Sequence, residues 1–159
     1  MKKRLTQEFS ELWGEADDRE EEYVDPVAQT LSNLEFPHFL EGKTVDMITN
    51  ENDFALTACF VGGALKQKWL EQLYGYIVVN RVEDLILGRY IRWLMVDQNG
   101  VWKLTKGGFA VGVRDSKSEE GGKVIVCRNT MQHFLQCPFK GGRIFQQLSQ
   151  DEMMVLILS

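Results

Sequence analysis

The sequence predicts an α+β protein built on a small antiparallel β-barrel or strongly bent sheet of five to six strands. A helix precedes it, a helix follows it and an acidic arm leads the chain. Three observations carry this. Between Gly88 and Leu148 lie six short segments rich in Val, Ile, Phe, Trp and Tyr: Arg89–Val96, Val101–Thr105, Phe109–Arg114, Lys123–Asn129, His133–Phe139 and Ile144–Leu148. Such residues suit a pleated, half-buried surface. Between the segments stand Asn99-Gly100, Gly107-Gly108, Gly121-Gly122 and Gly141-Gly142, which read as hairpin turns because Gly and Asn take positive φ at little cost. A helical stripe lies upstream and a helix-start signal downstream.

The chain has 159 residues, 44% of them hydrophobic and 26% charged, the profile of a globular protein of one domain with at most an appendage. The expected division is an arm over 1–25 and a single α+β domain over 26–159, with the β module at 76–148 and the last helix at 150–158. Charge is uneven. Residues 1–25 hold nine acids and four bases, residues 26–87 eight and four, and residues 88–159 six acids and ten bases. An acidic arm thus accompanies a mildly basic β module, a distribution suited to partner steering or internal neutralisation.

Taken in order, the arm opens with Leu5, Phe9, Leu12 and Trp13 on one helical face, ahead of the acidic run Glu15–Glu22. So short a helix needs a surface to dock on, which makes these four residues candidate partner anchors. Val27, Leu31 and Leu34 permit a short helix stopped before Pro37. Lys43–Thr49 reads as a possible strand. Asn52 or Asp53 would cap a segment running through Phe54–Tyr76, broken near Gly62-Gly63, whose first part, Phe54–Val61, fits a buried strand or a buried helix equally. Ala64–Tyr74 is the clearest helix, with Leu65, Trp69, Leu70 and Leu73 on one stripe and Gly75 as its stop. Tyr76–Val79 reads as a strand and Val82–Gly88 as a helical turn. In Arg89–Val96 alternation sets Ile91, Trp93 and Met95 toward the core. Ser149-Gln150-Asp151-Glu152 is a capping box opening a nearly all-apolar helix through Met153–Leu158. That helix must pack on the sheet or on another chain.

No residue constellation declares a reaction, so no catalytic residue, metal or cofactor is assigned. Cys127, His133 and Cys137 lack a fourth zinc ligand and read as core thiols beside a lone histidine. His38, between Pro37 and Phe39, reads as a structural or surface histidine. The glycine pairs lack the spacing and the Lys-Ser/Thr of a phosphate loop. Three cysteines without CxxC spacing point to free thiols in a reducing compartment. The positive N-terminus leads into no apolar run, so no secretory signal is expected, and no stretch reaches the roughly 20 apolar residues of a membrane span. Arg89, Tyr90, Arg92, Trp102, Lys103, Arg114 and Arg128 combine cations with aromatic rings and form a possible nucleic-acid or peptide face. The module's small positive surplus is modest for that role.

The runs Asp84–Leu94, Leu104–Phe109, Val124–Asn129 and Ile144–Ser149 together resemble an uncharacterised family of small proteins encoded by large double-stranded DNA viruses of eukaryotes. That family shares a Gly-x-Tyr-Ile-Arg-Trp strand, a Leu-Thr-x-Gly-Gly hairpin and an Ile-Phe-Gln-x-Leu ending before a last helix. The likeness covers about residues 82–157. It implies a viral source and a setting in the virion, with the host cytoplasm during assembly. The leading expectation is therefore a non-enzymatic structural or interaction protein, a minor capsid or virion component bridging other virion proteins. The alternative is a small β module binding nucleic acid or a peptide through its basic and aromatic face.

Overall fold

The computed structural model describes residues 36–159. The arm residues Leu5, Phe9, Leu12 and Trp13, and the helix expected over Val27–Leu34, lie outside the described residues. The described part holds three α-helices and seven antiparallel strands: α1 (Val45–Ala58), α2 (Gly63–Gln72), β1 (Tyr76–Val79), β2 (Tyr90–Val96), β3 (Trp102–Leu104), β4 (Gly108–Asp115), β5 (Lys123–Arg128), β6 (Phe134–Pro138), β7 (Ile144–Gln147) and α3 (Gln150–Leu158).

The expected strand over Lys43–Thr49 is instead the start of α1. The Thr44 hydroxyl oxygen accepts the Met47 backbone N–H at 3.2 Å, capping the helix well before the Asn52 or Asp53 expected to do so. The β-branched residues there suggest a strand, but Ile48, Asn52, Ala55 and Leu56 are all buried, and their i, i+4, i+7, i+8 spacing is helical. Asn52 interrupts this stripe as a polar residue, held by donating its amide to the Tyr76 carbonyl at 3.1 Å. Phe54–Val61 becomes the end of α1 and the bend after it. Its two phenylalanines point outward, Phe54 at 76% and Phe60 at 93% exposure. In α2 Trp69 is buried and so is Leu73, the residue that follows it as C-cap, whereas Leu65, expected on the same stripe, is exposed one turn too early to meet the sheet. Gly75, at φ +83°, turns the chain into β1.

The strands run in the order β1-β7-β2-β4-β5-β6, with β3 also on β2. β1 and β6 are the two ends of this path and do not pair, so the sheet is open and not the closed barrel the hairpin pattern allowed. Two of the four turn pairs expected between the strands do turn hairpins, Asn99-Gly100 between β2 and β3 and Gly121-Gly122 between β4 and β5. The other two do not. β3 and β4 both lie along β2, and Trp93 directs its N–H to the Thr105 hydroxyl and its C=O to the Thr105 N–H, so Gly107-Gly108 is a passage along β2's edge. Gly141-Gly142 joins β6 to β7, which are not neighbours.

The two sides of the sheet have different cores. On the concave side Val79, Ile91, Trp93, Ala110, Ile125, Cys127, Cys137 and Ile144 pack on one another as the sheet curls. On the convex side Val78, Phe145 and Leu94 pack under Ala55, Leu56, Trp69 and Leu73 of the helical segment. β2 therefore buries both sides, and Leu94 takes the place expected for Met95, which lies exposed near the strand's end. The buried Gln146 ties the passage from β1 to β2 to the sheet, its amide donating to the Asp84 carbonyl at 2.7 Å and its carbonyl accepting the Ile86 N–H at 3.0 Å. The capping box of α3 forms as the sequence predicts, with Glu152 Oε1 accepting the Ser149 N–H and the Ser149 hydroxyl accepting the Glu152 N–H.

Candidate functional site

The helices cover only part of the convex side. Among the described residues α1 and α2 pack on β1, β7 and the far half of β2 and leave β4, β5 and β6 uncovered on this side. Antiparallel register keeps directly paired residues on one side of a sheet. Tyr90 pairs with Phe109, Phe109 with Arg128, and Arg128 with Phe134. One row across four strands thus presents aromatic, aromatic, arginine, aromatic. Tyr90 and Phe109 meet edge to face with ring centroids 5.1 Å apart. Phe109 is 44% exposed, Phe134 is 68% exposed, and Arg128 is exposed between them.

Two more arginines border the row. Arg92 pairs with Phe145 on the same side, its Nε donating to the Thr105 carbonyl at 2.8 Å and its Nη2 to Gln72 Oε1 at 3.3 Å. Arg114 reaches this side through a bulge. It stands five positions after Phe109, an odd offset that would put the two on opposite sides of a regular strand. The register shift between Ala110 and Gly112 brings it back, paired with Val124 and donating to Gln136 Oε1 at 2.8 Å. Among the described residues no carboxylate lies within 4 Å of the Arg92, Arg114 or Arg128 guanidinium.

Of the seven residues the sequence marks for a binding face, the structure brings together Tyr90, Arg92, Arg114 and Arg128 and sends three elsewhere. Arg89, next along β2, points to the other side and holds Glu152 of α3 with both its terminal nitrogens, Nη2 to Oε2 at 3.0 Å. Trp102 lies at the far end of β2 beneath Arg143, and Lys103 pairs with Asp97 at 3.4 Å. Asp97, which also accepts the Asn99 and Val101 N–H groups, is held below the ordinary carboxylate range, mainly by the Val101 bond. Phe109 and Phe134, which the sequence offers as further rings interleaved with the basic residues but which stand outside those seven, complete the row. Their signal was present as aromatic residues in strands, but which side they face depends on register.

The cysteine and histidine group does not assemble. Cys127 and Cys137 lie buried on the concave side, and burial pushes their thiols up to about 11 and about 12. His133 is exposed in the β5–β6 turn, where its N–H donates to Asn129 Oδ1 at 2.9 Å. Among the described residues no three His, Cys, Asp or Glu side chains gather as a metal ion requires. His38 is exposed with Nε2 3.2 Å from Asp84 Oδ1. Among the described residues no helix is long and apolar enough to cross a membrane. The chain matches no protein-family model, no curated protein and no solved structure.

Proposed function

We propose that the chain is a non-catalytic binding module that takes single-stranded nucleic acid on the bare half of its sheet. The observation that carries this is the row Tyr90–Phe109–Arg128–Phe134. Bases of any kind stack on exposed rings, and guanidinium groups without carboxylate partners are available to phosphates. A convex sheet surface admits splayed-out bases, whereas a duplex offers it only phosphates. The test is fluorescence anisotropy with labelled oligothymidylate and oligouridylate at low salt. Binding is expected, and it should be lost in Phe134→Ala and in Arg128→Ala. With three arginines engaged, the logarithm of affinity should fall against that of salt with a slope of about −2. Absence of binding at low salt overturns the reading. Binding of a proline-rich peptide in its place would make the row a peptide groove.

A second reading, a bridging component of a viral particle, draws support from a different surface. Tyr74, Met154, Ile157 and Leu158 are exposed around an apolar groove of about 550 Å³ beside α3. Exposed apolar surface of this kind suits a protein partner. Deleting residues 1–24 should then leave the fold intact and abolish recruitment of other virion proteins. Recruitment that survives the deletion removes Leu5, Phe9, Leu12 and Trp13 as its anchors.

A further inference from the structure

A cavity of about 330 Å³ lies between the far end of β2 with β3 and the β6 strand. Its walls include Trp93, Met95, Trp102 and Pro138, and Lys140 and Arg143 also line it. It shares no residue with the row of aromatic and arginine side chains described above, and it stands independently of the function proposed for that row.

Arg143 is held there firmly. Its guanidinium carbon lies 4.8 Å from the Trp102 ring centroid, a cation–π contact. Its carbonyl accepts the Leu94 N–H at 2.9 Å, and its N–H donates to the Lys140 carbonyl at 3.2 Å. The turn before it is wedged against the end of β1: Gly142 N–H donates to the Val79 carbonyl at 3.2 Å, and a Cβ on Gly141 would lie 2.6 Å from the Asn80 carbonyl oxygen. Among the described residues no carboxylate lies within 4 Å of Arg143 or Lys140. A half-buried guanidinium at an apolar cavity without a counter-charge is a site at which an anion is worth more than in water.

We infer that this cavity binds a small anion with a flat apolar body, an aromatic carboxylate or phosphate whose ring lies along the apolar walls while its charged group rests on Arg143 and Lys140. The volume suits one or two fused rings, and indole walls favour a flat partner over a flexible chain. Two cations with no carboxylate beside them among the described residues select for negative charge.

The test uses the full chain labelled with nitrogen-15 and follows the indole N–H signals, assigned by single Trp→Phe variants, as 2-naphthoate is added. The Trp93 and Trp102 signals should shift saturably while that of Trp69, in the core beneath α2, stays still. The uncharged 2-naphthamide should bind about tenfold more weakly, the difference one charge-assisted hydrogen bond makes. Arg143→Gln should reduce naphthoate affinity at least as far, and Lys140→Gln, at an exposed position, severalfold. If Arg143→Gln fails to fold, the acid–amide comparison and Lys140→Gln decide the matter on a folded protein. Trp93 and Trp102 signals that stay in place at millimolar naphthoate overturn the inference. So does equal affinity for the acid and the amide, which would make the cavity an apolar depression with no preference for charge.

Discussion

The convex side of the sheet is two surfaces joined along β2. On one, Val78, Phe145 and Leu94 disappear beneath Ala55, Leu56, Trp69 and Leu73. On the other, Phe109, Arg128 and Phe134 stand in solvent. Both halves carry large aromatic side chains, Phe145 on β7 and Phe109 and Phe134 on β4 and β6, so hydrophobicity does not distinguish them. What does is whether a helix lies above. α1 and α2 precede the sheet in the chain and reach only as far as β2, and no other described residues cover the strands beyond it. One half therefore holds the described fold together, while the other exposes its side chains.

The sharpest way to break this comparison is to cut the same side chain from each half. Phe145→Ala should cost about 3–5 kcal/mol in urea unfolding, because a fully buried ring leaves a cavity that neighbouring strands and helices cannot collapse into. Phe134→Ala should stay within about 0.5 kcal/mol of wild type and lose oligonucleotide binding. Comparable destabilisation by both would mean that the bare half is itself part of a packed core.

Two arginines sharpen the contrast next. Arg89 and Arg128 look alike in sequence, but Arg89 neutralises Glu152, which is 1% exposed. Arg89→Ala should cost about 3 kcal/mol by leaving that carboxylate buried and unpaired, whereas Arg128→Ala should leave the denaturation midpoint unmoved. If Arg89→Ala were neutral, α3 would not depend on this pair for its place on the sheet.

A smaller effect separates glycines that turn from glycines that fit. Gly107, at φ +84°, has the Ile91 carbonyl oxygen where a Cβ would stand, while Gly121, at φ +73°, faces open space. Gly107→Ala should cost about 2–3 kcal/mol from strain and displacement of β2, and Gly121→Ala about 1 kcal/mol from the positive φ alone. Equal costs would show that backbone angle, and not crowding, is the whole requirement at both sites.

These glycines mark where the sequence stops being legible. All six strand segments from Arg89 to Leu148 were readable from their Val, Ile and aromatic content, and Ser149-Gln150-Asp151-Glu152 announced α3 outright. A glycine pair, however, reports a backbone angle and says nothing of what lies on either side of it. That is why Gly107-Gly108 and Gly141-Gly142 read as hairpins, and why a barrel and a strongly bent sheet read alike. The pairings that order the sheet, β1 with β7 and β7 with β2, join residues far apart in the chain and leave no local trace. α1 was obscured by its own composition, since Thr44, Val45, Ile48 and Thr49 favour strands locally and the buried Asn52 hides the stripe. Of the candidate face, the residue types were legible but the side was not. One bulge at 110–112 decides that Arg114 joins Phe109, and alternation along β2 decides that Arg89 leaves Tyr90.

The last contrast concerns the thiols, whose effect is absent at neutral pH and develops only in alkali, and it extends the comparison to the interior. Cys59, in the helix-covered core, has its thiol raised by burial, but the nearby Arg143 guanidinium counteracts this. Cys127 and Cys137, on the concave side, have no cation beside them and are pushed up to about 11 and about 12. The unfolded chain releases these two protons near pH 9, while the folded protein keeps them for two to three pH units more. Their stabilisation is therefore complete below about pH 8.5 and is lost as pH rises through the folded values, by up to about 1.4 kcal/mol per pH unit for each thiol. Urea midpoints measured from pH 8 to pH 11 should fall accordingly, and Cys127→Ala should flatten the decline by one thiol's share. Over the same range iodoacetamide should modify Cys59 before Cys127 or Cys137. Modification of Cys127 as fast as Cys59 would mean that the curled strands part as readily as the helices lift, and that the concave core is no tighter than the covered half of the sheet.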